Sequence, residues 1–443
     1  MKKVCVTVAL ATSALCSCGG GGNGATGSCV VPATVASNLT LDTSCKVWHV
    51  QSGGTSVAGS GSAAPVLTID PGVTVAFAQN AYLQVGVDGP GSIHAVGTSA
   101  APIAFAADAP SPSPGYWGAV YLADQAQATS TIAFATFDSA GGAQNTAGPA
   151  SEAGSLVVNS DTSVYTVLLH DLTFTHNGAN GLVMDGFNVG FAAGSGNLTV
   201  DDWGTGSQPF VVAANQAVTL PATLEVPAGK GGMVDLVDGA GDHSGFGGTG
   251  AWVMQSGTWP SIHLPYLVDG LVPGAGAGAC IEGPGTGTPV TLTIASPNTL
   301  EFNNGGELDV DCRTNGTADL VAQGPLTFTS AGASAPGSWS GIHFFVTASG
   351  LQHSSLTNAT VENAGGTLTT CNPPVYGAIF VDSSSTIGNP AVPGPTITGC
   401  TIQNYPGTGS GIITANISNS ASYGPPANTF TPANGSFPPV TGC

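Results

Sequence analysis

Between Leu67 and Phe77 the chain reads LTIDPGVTVAF, in which apolar and polar positions alternate, break at Asp-Pro-Gly, and alternate again. A period of two bounded by turn residues predicts strand, turn, strand. The pattern continues in APIAFAA (101–107) and GPLTFTS (324–330). It recurs in LHDLTFTHNGANGLVMDG from Leu169 and in ITGCTIQNYPGTGSGIITA from Ile397. The last two share the order apolar, three residues, Thr, apolar, one residue, Asn or a neighbouring polar residue, then Gly and a second apolar run. No stretch of ten or more residues carries a capped helical stripe. Many short strands without helices leave a sandwich, a barrel, a propeller or a β-helix.

Larger blocks repeat. LTIDPGVTVAF is matched by LTIASPNTLEF (292–302), with a weaker middle copy, LEVPAG, from Leu224. Each copy is preceded by an aromatic-Val phrase and followed by a Trp phrase: GYWGAVYL at Trp117, TWPSIHL at Trp259 and GSWSGIHFF at Trp339. The Leu-to-Trp spacings are 50, 35 and 47 residues. ATFDSAGG (135–142) and ATVENAGG (359–366) follow the first and last Trp. Self-similarity at this scale is the mark of a repeat architecture. In order and wording, LTI-x-PG, then PI-x-F, then W-x-G-apolar resembles a bacterial family of secreted β-helix repeat proteins, over residues 46–142 and 208–366. The resemblance implies an all-β chain folded as one elongated right-handed parallel β-helix, a solenoid of about 16 rungs with roughly 20 to 25 residues each. It also implies that the Trp phrases are scaffold, marking equivalent turns with each indole covering a corner.

Composition agrees with such a coil. Hydrophobic residues make up 42% and charged ones 7%, while 66 Gly and 31 Pro supply turns. Ser, Thr, Asn and Gln carry the polar positions, so backbone and side chains can be satisfied without charge. Against 25 Asp plus Glu stand 5 Lys plus Arg, two of them Lys2 and Lys3. Counterion release from nucleic acid needs clustered cations, so a nucleic-acid partner is excluded, as is charge-driven binding to polyanions or anionic lipid.

Residues 1–17 have a basic start and an apolar run from Val4 to Leu15, which reads as an export signal. Leu15-Cys16-Ser17-Cys18 before four glycines resembles a lipoprotein processing site, implying lipidation of Cys18. The expected organisation is therefore a signal (1–17), a lipidated Gly-rich tether and N-terminal cap (18–45), and the β-helix with a disulfide-tied C-terminal cap (46–443). Localisation follows as an outer-membrane or cell-surface lipoprotein, or a secreted protein if the signal is cleaved without lipid. Membrane contact is then through the lipid alone, and the chain is expected to be a monomer. Beyond the leader lie Cys29, Cys45, Cys280, Cys312, Cys371, Cys400 and Cys443. In an oxidising compartment near neighbours pair, Cys29 with Cys45 and Cys280 with Cys312, and Cys443 closes onto Cys371 or Cys400. Seven is odd, so one thiol stays free or pairs outside the chain.

Candidate chemistry is sparse. Asp201 and Asp202, beside Trp203, form the best carboxylate pair for a glycoside hydrolase. If they lie on a strand they point to opposite faces, whereas Asp309 and Asp311 point to the same one. Asp235, Asp238, Asp242 and His243 sit within nine residues on a Gly-rich stretch that could hold Ca²⁺, or serve only as turn caps. No other cofactor is implied. His263 and His343 alternate with Tyr121 in the Trp phrase, which marks a half-buried amphipathic position. Asp138 and Glu362 repeat as turn-capping carboxylates. With Arg313 the sole arginine and no hydrolase elbow, zinc or phosphate motif, two readings remain. The leading one is a non-catalytic envelope module of adhesin type contacting carbohydrate or a cell-surface protein; the other is a polysaccharide hydrolase.

Overall fold

The computed structural model describes residues 29–142, 153–160, 162–238, 251–268, 278–283, 289–311, 317–346, 353–368, 375–383, 393–407, 409–415, 417–431 and 440–442. Strands dominate, and nearly every pairing between them is parallel, one rung upon the next. This is a parallel β-helix with three faces visited in fixed order. Leu39–Leu41, Val47–Val50 and Thr55–Val57 make one such turn; Val66–Ile69, Thr74–Phe77 and Leu83–Val85 stack beneath it. We call the faces holding Val47–Val50, Thr55–Val57 and Leu39–Leu41 the first, second and third.

The second face runs unbroken from Thr34–Val35 to Thr429–Thr431. Residues in register along it are 22 (Thr34, Ser56) to 41 (Val361, Ile402) apart. Most rungs are thus longer than the 20 to 25 residues expected from sequence. The strands are short as foreseen, but the loops between them carry more chain than alternation alone reveals.

The repeated phrases are related by an offset that sequence did not show. In the first copy Val66–Ile69 lies on the third face, Thr74–Phe77 on the first and Val120–Leu122 on the second. In the last copy Val290–Ile294 lies on the first face, Asn298–Phe302 on the second and Gly341–Phe345 on the third. The whole block has advanced by one face. A 3-10 helix, Ala214–Thr219, stands where a third-face strand would be, stacked between Val189–Phe191 and Ala251–Val253, and the first-face ladder breaks after Leu224–Glu225 and restarts at Gly257–Trp259.

In the first and last copies the packing is the same. Trp117 stacks on Phe77 with centroids 4.0 Å apart, and Trp339 on Phe302 at 4.2 Å. Both indoles are fully buried, and each Nε1 donates to a backbone carbonyl at 2.7 Å, Asp138 O and Glu362 O. They fill the core instead of covering a corner. Trp259 is buried too, but it lies on the strand Gly257–Trp259 and donates to Ala214 O, so only two of the three phrases are structurally equivalent. Phe105, Phe137 and Phe174 continue the aromatic stack at 4.8 Å spacings.

Corners explain the polar motif. After Thr-apolar-x comes a residue with positive φ: Ser139, His176, Asn363 and Asn404. Asn tolerates that region better than most residues, which accounts for its recurrence. Asp138 and Glu362, one position earlier, do not cap their own turns. Their carboxylates reach the next rung, Asp138 to Thr175 Oγ1 (3.0 Å) and Glu362 to Gln403 Nε2 (2.7 Å).

At the C-terminal end, buried Asn428 accepts from Cys400 N and donates to Ile397 O and Tyr423 O. Asn428→Ala leaves three backbone groups without partners, so it is expected to cost on the order of 2–4 kcal/mol in urea unfolding. Asn428→Asp should retain the bond from Cys400 N and lose the two donated ones.

Candidate functional site

Two places concentrate titratable side chains. The first is the corner between first and second faces. His176 Nδ1 lies 2.7 Å from Asp138 Oδ1, and the imidazole is exposed. Its pKa is raised, chiefly by that hydrogen bond, with further pull from Asp138, Asp202 and Asp201. The strand Gly196–Val200 ends before this acidic pair, so strand alternation does not separate the two as the sequence suggested. Asp202 Oδ1 accepts from Asn177 N (3.0 Å), and Lys230 Nζ donates to Asp201 O (2.6 Å). Trp203 is half-buried against the core. Gly232 borders it, where a Cβ would stand 3.0 Å from the indole Cη2. Gly232 also lines a shallow cleft of about 440 Å³ with Glu225, Pro227 and His263. A second cleft of about 400 Å³ shares His263 and continues to Asn298 and Thr327. In this phrase His263 is exposed on a bend, unlike its counterparts Tyr121 and His343, which are half-buried on strands.

The second place is the outward side of the third face in the last copy. Strand alternation sends Leu308 and Val310 inward and Glu307 and Asp309 outward. In register on successive strands lie Trp252, Cys280, Asp309, His343, Phe380 and Ile413. His343 stacks on Phe345 at 3.6 Å and meets Phe380 at 5.6 Å. Asp309 is held well above the ordinary carboxylate range by burial, then by the charge of Glu307 and the hydrogen bond it gives Glu307. Burial also raises Glu307, and that hydrogen bond partly offsets the rise. Burial pushes His343 down to about 3. The strip thus holds a neutral carboxylic acid and a neutral imidazole. Trp252, Cys280, Phe380 and Ile413 in the same column are buried, so the strip is covered and not open to solvent. Asp309 Oδ1 and His343 Nε2 are shut off from water with no hydrogen-bond partner.

Asp311, expected to share a side with Asp309, has φ of +63° and is buried, so alternation ends at Val310. Glu307 is the true partner, and the alternation of ELDV was the signal for it. Asp235 lies on the strand Val234–Val237 in register between Val211 and Leu267, not on a loop. Asp238 follows that strand, and burial raises its carboxyl to about 7. Asp242 and His243 lie outside the described residues, and so do Cys18, Cys312, Arg313, Cys371 and Cys443. Among the described residues no three His, Cys, Asp or Glu side chains are placed to hold a metal ion. Cys29 and Cys45 form a disulfide, and Cys280 is disulfide-bonded. Cys400 is a free thiol buried in the core, its Sγ 3.3 Å from Leu356 O, which removes it as a partner for Cys443.

Fold and site together define an all-β solenoid whose chemistry is carried on the outside of its rungs. Searches of family profiles, curated proteins and solved structures give no match to this chain.

Proposed function

We propose that the protein is a non-catalytic β-helix module of the cell envelope, exported by residues 1–17, tethered through lipid on Cys18, and contacting uncharged carbohydrate. The observation that carries this reading is how its outward acids are used. Asp88 accepts from Ser56 and Gln84, Asp138 from Thr175, Asp171 from Asn197 and Glu362 from Gln403. Carboxylates tied across rungs brace the coil. The excess of acids over bases repels polyanionic glycans and leaves neutral ones as ligands.

One observation favours hydrolysis as a second reading: Asp138, Asp201 and Asp202 all act on His176 beside Trp203. A glycan array on the mature chain, followed by assay of reducing ends released from bound glycans, separates the two. Binding without release is expected; release that is lost in Asp202→Asn would replace the module with the hydrolase. For the tether, a clickable fatty acid should label the wild-type chain and not Cys18→Ser. Label retained in the variant removes the lipid anchor.

A further inference from the structure

One outward column of the second face stays open to solvent and repeats a single residue type. Thr299, Thr327, Thr360, Thr401 and Thr429 are in register on five successive strands, although their positions differ by 28 (Thr299, Thr327) to 41 (Thr360, Thr401). Their neighbours Leu300, Phe328, Val361 and Ile402 are fully buried, so alternation turns the threonines outward. Four are half-buried and Thr429 is exposed, in contrast to the covered column at Asp309 and His343. The hydroxyls of Thr175 and Thr329 bond Asp138 and Asn363, but none of these five has a partner among the described residues. Branching at Cβ restricts their rotamers, so the hydroxyls form a ready-ordered row at the inter-strand spacing, about 4.7–4.9 Å.

The row begins in a cleft. Thr299 and Thr327 line the depression of about 400 Å³ that also holds His263, Pro297, Asn298 and Pro325, a size within the range of small-ligand sites. The bend carrying His263 is held in place: Ser261 Oγ donates to Pro297 O (2.7 Å), Ile262 N to Asn298 Oδ1 (3.3 Å), and Asn298 Nδ2 to Pro260 O (2.8 Å). Two positions further along the same strands come Glu301, Thr329, Glu362, Gln403 and Thr431. Glu and Gln reach further than Thr, so the row has a polar wall and is not one plane, which suits a chain better than a crystal lattice such as ice. Both charged side chains of that wall are acids, which repel a polyanion. One sugar of an extended β-1,4-linked glycan is close in length to the rung spacing, so successive sugars meet successive hydroxyls. We propose that the threonine row is the contact surface for a neutral, extended β-1,4-linked glycan lying along the solenoid axis, one sugar to a rung, with its end seated in the cleft beside His263. The proposal rests on the carbohydrate reading and gives it a place and a length.

The test is titration calorimetry on the mature chain with β-1,4-linked glucose and mannose oligomers of two to six sugars, and hexagalacturonate as the charged probe. Affinity for at least one neutral series should rise with each added sugar and level off at about five, one for each threonine of the row. Hexagalacturonate should not bind. Thr→Val keeps the shape and the strand preference while removing the hydroxyl, so the variants should fold. Thr360→Val should weaken the six-sugar probe on the order of threefold, and Thr327→Val, Thr360→Val and Thr401→Val combined about tenfold or more. Thr360→Ser, which keeps the hydroxyl, should retain binding. Thr68→Val, on the third-face strand Val66–Ile69, should leave affinity unchanged. Equal affinity in wild type and the triple variant, or affinity independent of oligomer length, overturns the row and spares the carbohydrate reading. Failure of every oligomer to bind overturns both. Thermal hysteresis of ice growth that the wild type shows and the triple variant lacks would assign the row to ice and overturn the glycan.

Discussion

Trp117→Ala is expected to lower the unfolding free energy by about 3–5 kcal/mol, among the largest single-residue losses in the chain. The indole is wholly buried, stacks on Phe77 and bonds Asp138 O. Its removal opens a cavity and strands a carbonyl whose residue also braces the next rung through its carboxylate. Trp339→Ala should cost the same within about 1 kcal/mol, because Phe302 and Glu362 O reproduce the arrangement. Trp203→Ala should cost about 1 kcal/mol or less, since that indole is only half-buried. Urea titrations followed by far-ultraviolet circular dichroism measure all three. Rungs couple mainly to their neighbours, so the Trp117 and Trp339 variants should melt early around their own rungs. Equal, small losses for all three would mean the repeated tryptophans are not core.

The second large effect is on stability against pH, and its limbs have opposite origins. His343 is held neutral, with its pKa pushed down to about 3. Between there and its ordinary value of 6.5 the folded chain binds fewer protons than the unfolded one. Stability that is complete above pH 6.5 is therefore lost as pH falls towards 3. Asp309 and Asp238 behave in reverse. The folded chain keeps protons that the unfolded chain releases, so their contribution is complete below about pH 3.8 and lost as pH rises through the raised values, about 7 for Asp238. Between pH 3.8 and 6.5 the two effects oppose each other, so the sum varies less than either alone and the variants separate them. Melting temperatures should show His343→Phe gaining on the wild type as pH falls from 6.5 towards 3, and Asp309→Asn gaining on it as pH rises above 3.8. A profile that both variants leave unchanged would show that neither group is desolvated.

The coil was legible because alternation at LTI, VAF and TFT gives the strands directly, and because Thr-apolar-x-Asn marks the corner that needs positive φ. The pairing of Trp117 with Phe77 was legible only as co-occurrence, since stacking depends on a rung-to-rung register that sequence leaves open. Loop 108–119, inserted between two strands of one rung, shows why rung length was underestimated: nothing in its composition says whether it closes a turn or bulges from one. Glu307 with Asp309 could be found from alternation alone. His343 could not, because its place beside Asp309 depends on the lengths of the intervening loops. The Asp201–Asp202 pair misled because the strand stops at Val200, one residue before alternation would have parted the two.

The one-face advance between the first and last copies bears on how the molecule meets anything rigid. Tyr121 and His343 are the same letter of the same phrase, yet they look out in different directions around the long axis. A flat partner laid along the protein can read one copy or the other, never both; only something that winds around the shaft could read the two in sequence. Grafting the last block in place of the first therefore calls for one extra strand and turn at the junction. Joined at whole-rung spacing without it, the graft would turn every phrase towards the wrong neighbour.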